Sequence, residues 1–339
     1  MINKAAYDTL KSMSRANWLE QLRGAVRDPE ALNRMLGLDP DGSELPARSL
    51  REFPLLVPRN WVERIAYGNK NDPLLRQVLP LAAEDQAHAG FSRDPLGEAG
   101  RLQAPGLLQK YHGRALLVTT GACAIHCRYC FRRHFPYAAE NGARDNWDGA
   151  LEQLARDPDL SEIILSGGDP LVLADDRLLT LIQRLEQLPQ LQRLRIHSRV
   201  PVILPERVTD ELLQALSRTR LIPVLVIHCN HPEELDQHAG SALERLRQAG
   251  IVLLNQSVLL RGINDSWETI AALSERLLRY GVLPYYLHLL DPVDGAAHFH
   301  VPMADAAVIM EALRRHLPGY LVPRLVREQA GAPYKLPLL

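Results

Sequence analysis

Three cysteines crowd into eight residues of this 339-residue chain, Cys123-Ala-Ile-His-Cys127-Arg-Tyr-Cys130, at C-x₃-C-x₂-C spacing; the remaining one, Cys229, lies far along the chain. An odd number of thiols at such short separations does not make a disulfide set. Thiolates are the preferred ligands of iron–sulfur clusters, and three of them on a four-iron cubane leave one iron free to bind a small molecule. Zinc is the other chemistry open to the triad. It would need a fourth ligand, for which His126 and His134 stand nearby.

Other residues could share such a site. Ser166-Gly167-Gly168-Asp169-Pro170 follows an apolar run, and glycines at a strand end let backbone groups approach a ligand. Arg132-Arg133-His134 comes directly after the third cysteine. A basic run is ordinarily a solvated face, whereas beside a cluster an arginine could grip a carboxylate bidentately. Asp291 and Glu328 are each unremarkable alone and would together neutralise a cationic substrate end. Lys335 could form a Schiff base only if desolvated enough to be neutral part of the time. Cys229 reads as a buried structural cysteine.

Something must position these residues. Hydrophobic content of 46% and charged content of 23% are those of a globular protein with a large core. A net charge of -1 gives no general pull towards nucleic acid or membrane, and no apolar run is long enough to span a bilayer. Met1–Asp8 lacks the apolar core of a signal peptide, so a reducing cytoplasm is the expected home. Residues 1–109 read as an N-terminal helical extension, with helical patterns at Asn17–Leu22, Asp28–Leu36, Asn60–Tyr67 and Asp72–Gln86, and a turn-rich loop from Asp94 to Gly106. Residues 110–339 read as the catalytic domain. Strands are expected at Arg114–Thr120, Glu162–Ser166, Leu194–Ser198, Ile222–His228, Val252–Val258 and Val282–His288. Helices are expected at Asn146–Ala155, Asp176–Leu188, Pro205–Ser217, Pro232–Ala249, Ser266–Tyr280 and Ala304–His316. Six βα repeats in this order imply a parallel α/β sheet, doubly wound or a partial (βα)6 TIM-like barrel. The chemistry-bearing residues fall at or just after strand ends, where barrels place their sites. The tail from Tyr320 to Val326 is strand-like.

The chain resembles the lysine 2,3-aminomutase family of radical S-adenosylmethionine (SAM) enzymes, which also use pyridoxal phosphate (PLP). The likeness runs from about Asp72 to the C-terminus through Asp94–Glu98, Gly113–Thr120, Cys123–His134, Ser166–Leu171, His228–Pro232, Asn255–Ser257, Gly262–Asp265, Tyr285–Asp291, His298-Phe299 and the Lys335 tail. The resemblance implies a radical SAM partial barrel and an isomerase converting free L-lysine to β-lysine. It implies that Cys123, Cys127 and Cys130 hold a [4Fe–4S] cluster, and that Gly167, Gly168, Asp169, His228 and Gln256 contact SAM. Lys335 would be the PLP lysine, with Arg114 at the PLP phosphate and His288 where the family has a PLP-contacting Tyr. Arg132 would pair with the substrate carboxylate, and Asp291 with Glu328 would take its ε-ammonium. Glu328 stands where longer relatives have Asp. Those relatives also carry a C-terminal extension with zinc-binding cysteines, so no structural zinc is expected here. The likeness is greatest to the short bacterial branch that supplies (R)-β-lysine for modification of translation elongation factor P. That branch implies an electron donor such as flavodoxin or ferredoxin, and an indirect link to elongation factor P and its β-lysine ligase. The competing readings are a radical SAM/PLP aminomutase for another amino acid and a non-enzymatic iron–sulfur redox or binding protein.

Overall fold

In the computed structural model, which describes residues 17–38, 45–138, 140 and 146–339, ten strands form one sheet in chain order. Met1–Asp8 lies outside the described residues. β1 (Leu102–Ala104) and β2 (Leu107–Tyr111) open the sheet as an antiparallel pair, and β2 runs antiparallel to β3 (Arg114–Thr120). From β3 the sheet is parallel through β4 (Glu162–Gly167), β5 (Arg193–Ser198), β6 (Ile222–His228), β7 (Val252–Leu259), β8 (Leu283–Leu289) and β9 (Arg324–Arg327). The two-residue β10 (Leu336–Pro337) returns antiparallel on β9.

The six expected strands are all present, and the strand-like tail adds a seventh parallel neighbour. The stretch read as loop before Gly106 contains β1, and the next residues make β2. Helices fill the connections, as parallel strands require. Two expected helices are each split. Thr209 accepts the Leu212 amide at 3.2 Å and so starts a new helix, Asp210–Arg218, after the short turn Pro205–Arg207. Asp236 does the same for Gln237–Gln248. In the N-terminal segment the expected helix over Asp72–Gln86 reduces to Pro73–Arg76 and a 3₁₀ turn, Ala82–Asp85, because Pro80 interrupts the pattern.

Strand alternation explains why the chemistry lies inside. On β5, Leu194 and Ile196 join the apolar core against the helices, which leaves Arg195 and His197 on the opposite face. On β8, Leu287 and Leu289 pack outward and Tyr286 and His288 take the other side. The sheet curls so far that its two ends meet. Lys110 on β2 reaches Glu328, just past β9, at 2.7 Å, and Gly97 lies beside Ala330. No backbone pairing joins β1 to β10, so the barrel is partial. The N-terminal segment shares the barrel's core: Val26, Leu32, Trp61 and Leu74 cluster with Leu165, Leu194 and Leu225.

Candidate active site

The cysteine loop leaves the C-terminal end of β3 and is fixed by the N-terminal segment. The His126 amide donates to the Leu56 carbonyl (3.0 Å) and the Arg128 amide to the Gln77 carbonyl (2.9 Å). Arg128 is fully buried against Glu84, with Nη2 to Oε2 at 2.5 Å, and its Nη1 donates to the Phe53 carbonyl. Arg133 also reaches Glu84, at 2.7 Å. The basic run after the third cysteine is therefore buried structure rather than a solvated face. Burial would raise the Glu84 carboxyl, but Arg128 and Arg133 together hold it below its usual value. Both histidines that could have been zinc's fourth ligand have partners elsewhere. His126 Nδ1 sits 2.8 Å from the Pro54 carbonyl with its ring stacked on Phe53, and His134 Nε2 lies 3.3 Å from the Asp294 carbonyl.

Burial and the neighbouring sulfurs push the thiols of Cys123 and Cys130 up, the latter to about 11. Among the described residues no three His, Cys, Asp or Glu side chains form the cage of a single ion. Cysteines that each take a different iron of a cluster stand farther apart than the ligands of one ion. Soft thiols converging on one loop fit an iron–sulfur group. Arg199 Nη1 lies 2.7 Å from the Cys127 Sγ.

The Gly167-Gly168-Asp169 turn is pressed against this loop. The Gly168 amide donates to the Thr120 carbonyl (2.7 Å) and the Asp169 amide to the Ala122 carbonyl (2.8 Å). Gly167 has φ +115°, and a Cβ on Gly168 would come within 2.2 Å of the Ala122 oxygen. The glycines thus serve loop-to-loop approach. Asp169 accepts from Ser198 Oγ (2.7 Å) and from the Leu171, Arg199 and Val200 amides, so it pins β4 to the turn after β5. Burial nevertheless lifts it to about 6. His228, at the end of β6, sits 2.9 Å from the Tyr129 hydroxyl. Burial, then Arg199, lowers it to about 3, so it is neutral. Gln256 pairs in register with His228 on β7 and faces the interior beside it.

Deeper in the barrel is a line of alternating charge. Arg132 holds Glu98 bidentately, Nε to Oε2 at 2.7 Å and Nη2 to Oε1 at 2.8 Å. Glu98 Oε1 meets Lys110 Nζ at 2.8 Å, Lys110 meets Glu328 Oε1 at 2.7 Å, and Glu328 Oε2 meets Lys335 Nζ at 2.5 Å. Burial opposes ionisation of both acids, but Arg132 and Lys110 draw Glu98 down to about 2, and Lys335 and Lys110 hold Glu328 far below the carboxylate range. Asp291 has no such cation in contact. Burial, then the charge of Glu328, pushes it up to about 7. Arg132 was expected to face a substrate carboxylate; here it faces a carboxylate of the chain itself.

Two imidazoles border Lys335. His288 is buried and its Nε2 has no partner; burial and Lys335 lower it to about 3. His197 Nε2 is likewise buried without a partner, and burial followed by Arg195 and Lys335 keeps it neutral. Unsatisfied buried nitrogens beside a lysine fit a polar cofactor on that lysine. Arg114 stands at the opposite end of β3 from the cysteines, exposed, its guanidinium 5.8 Å from the Tyr111 ring centre. Burial, then the charge of Glu328, raises the Tyr111 hydroxyl well above its usual value.

Sequence reasoning passed over Glu98, Lys110, His197 and Arg199. Glu98 lies within a quoted motif, and His197 was available from the alternation Arg193, Arg195, His197 on one face of β5. Lys110 and Arg199 carry no local signal. Only the curl of the sheet and the packing of loops bring them to the site.

Comparison with known proteins places these features. The Radical SAM superfamily model matches residues 117–273. The chain is 50% identical to the L-lysine 2,3-aminomutase of Escherichia coli over 97% of this chain and 96% of that one. It is 46% identical to that of Haemophilus influenzae, covering 94% of each chain, and 39% identical to that of Buchnera aphidicola over 99% and 98%.

Proposed function

We propose the reaction from one premise: this chain belongs to the lysine 2,3-aminomutase family. It is an isomerase that converts L-lysine to β-lysine with a [4Fe–4S] cluster, SAM and PLP. When bound, these groups supply a radical from SAM cleavage and a π-system that stabilises the rearranging substrate.

The chain's own residues bind and orient. Cys123, Cys127 and Cys130 hold the cluster, and the N-terminal segment holds their loop. The Gly167–Asp169 turn, His228 and Gln256 border the SAM space. Lys335 carries PLP, and the neutral rings of His197 and His288 offer it hydrogen bonds without adding charge. Glu328 stays ionised and holds Lys335 Nζ in place. Arg132 at one end and Asp291 with Glu328 at the other receive the carboxylate and ε-ammonium of lysine. Such positioning can supply several kcal/mol of a barrier. The observation that carries the substrate reading is the pair of carboxylates beside Lys335, which suits a cationic side chain.

The likeness to short relatives supports (R)-β-lysine as product and its delivery to elongation factor P through a β-lysine ligase. A flavodoxin or ferredoxin in the reducing cytosol would be the electron donor. No helix among the described residues is long and apolar enough to cross a membrane.

The test is a product assay. The anaerobically reconstituted protein is given PLP, SAM, a reductant and L-lysine, and products are resolved on a chiral column. (R)-β-Lysine is expected. SAM cleavage without β-lysine would refute the substrate, and intact SAM on a verified cluster would refute the reaction class.

A further inference from the structure

Arg132 and Glu328, the groups assigned to the charged ends of lysine, are both already paired, and with side chains that carry the same charges as those ends. A carboxylate, Glu98, lies bidentate on Arg132; an ammonium, Lys110, lies on Glu328. All four groups are buried or nearly so: Glu98 is 2% and Arg132 6% exposed. A buried charge without a partner is strongly destabilising, so a site built for a charged ligand needs internal counter-ions when the ligand is absent.

We propose that Glu98 and Lys110 are exchangeable counter-ions, displaced by the substrate's carboxylate and ε-ammonium; the inference rests on the lysine reading above. Three observations carry it. Glu98 and Lys110 are 2.8 Å apart, so displacement leaves each with the other as partner. The pair is neutral in sum, as are the two ends of lysine that replace it, so exchange leaves the balance of the charge line intact. Both residues also lie outside the parallel part of the sheet: Glu98 opens the 3₁₀ turn Glu98–Arg101, and Lys110 is on the antiparallel strand β2, where pairing with β3 is irregular between Leu108 and Tyr111. They can shift without breaking the parallel sheet. A ligand with only one charged end makes only half the exchange, so the arrangement selects for length and for both charges.

One-ended ligands test the two halves separately. L-Norleucine keeps the carboxylate and lacks the ε-ammonium; cadaverine keeps the amine and lacks the carboxylate. Binding of each to the reconstituted holoenzyme is measured by calorimetry. Glu98→Gln should tighten L-norleucine about tenfold, since a charged competitor for Arg132 becomes a neutral one. It should leave cadaverine unimproved. Lys110→Met should do the reverse. The double variant Glu98→Gln/Lys110→Met removes one charge of each sign, should tighten both ligands, and serves if either single variant fails to fold. Weaker norleucine binding by Glu98→Gln, restored by Glu98→Asp, would overturn the proposal and make Glu98 a fixed support for Arg132. An equal shift of both ligands in either single variant would overturn it as well. Because the readout is binding, the crossed pattern in a protein that does not turn lysine over would support the exchange while refuting the reaction.

Discussion

Replacing Asp291 with asparagine should abolish a proton release that accompanies lysine binding near neutrality. In the free protein Asp291 has its carboxyl pushed up to about 7 by burial and by the charge of Glu328, with no cation in contact. Raised from 3.8, the carboxylate is disfavoured by roughly 4 kcal/mol, at 1.36 kcal/mol for each unit. At pH 7 the group is about half protonated, at pH 6 about nine-tenths and at pH 8 about one-tenth. An arriving ε-ammonium supplies the missing positive charge, so the bound form is ionised and the proton leaves. Affinity for lysine should therefore rise about tenfold between pH 6 and pH 8. Calorimetry in two buffers of different ionisation enthalpy reads the proton directly. Every other proton exchanged on binding is common to both proteins, so the difference between wild type and Asp291→Asn isolates about half a proton at pH 7. An equal release by both proteins, or one centred near pH 4, would refute the reasoning. Stability has the opposite sign. The folded value lies above the unfolded one, so the contribution to folding is full below about pH 4 and is lost as pH rises through about 7. In urea titrations of the ligand-free protein, Asp291→Asn should lose less stability from pH 6 to pH 8 than wild type.

Three other outcomes follow from the packing. Glu84→Gln leaves Arg128 and Arg133 buried without their shared carboxylate and should cost about 3–5 kcal/mol, read by chemical denaturation; an unchanged midpoint would remove the N-terminal segment's claim on the cysteine loop. Gly168→Ala places a methyl group against the Ala122 carbonyl and must part the two loops, so SAM affinity should drop while the iron content of anaerobically loaded protein is the control; wild-type SAM binding would count against it. Glu328→Gln takes the carboxylate from Lys335 and leaves Lys110 to Glu98 alone, and should raise the KM for lysine by tenfold or more, by loss of charge-assisted pairing; a wild-type KM would sever Glu328 from substrate.

The parallel sheet was legible because buried strands separated by amphipathic segments have a strong period, and each expected strand formed. The N-terminal elements were read less well, since short helices there are set by packing and by Pro80 rather than by periodicity. The short antiparallel strands β1 and β2 escaped because three to five residues carry too little pattern. In the site, local motifs exposed the cysteines and the glycine turn. The charge line could not be read because its members come from residues 98, 110, 132, 328 and 335, and only curvature of the sheet makes neighbours of them. The glycine turn shows a subtler gap: its residue types were informative, but what they first accommodate is the neighbouring loop.

A closed barrel is a hoop whose circumference is fixed by backbone hydrogen bonds all the way round. Here the last joint is made by side chains, with the Lys110–Glu328 contact spanning the first and last parts of the sheet. That joint behaves like a clasp rather than a weld. Its strength rests on the charges of two side chains, whereas the rest of the ring is held by backbone hydrogen bonds. Because the clasp is made of groups inside the reaction chamber, whatever occupies the chamber also sets the tension of the hoop. Under the exchange proposed above, a ligand that lifts Lys110 off Glu328 opens the clasp, so filling the site and loosening the wall are one mechanical event, and the girth of the barrel becomes a quantity that the ligand adjusts.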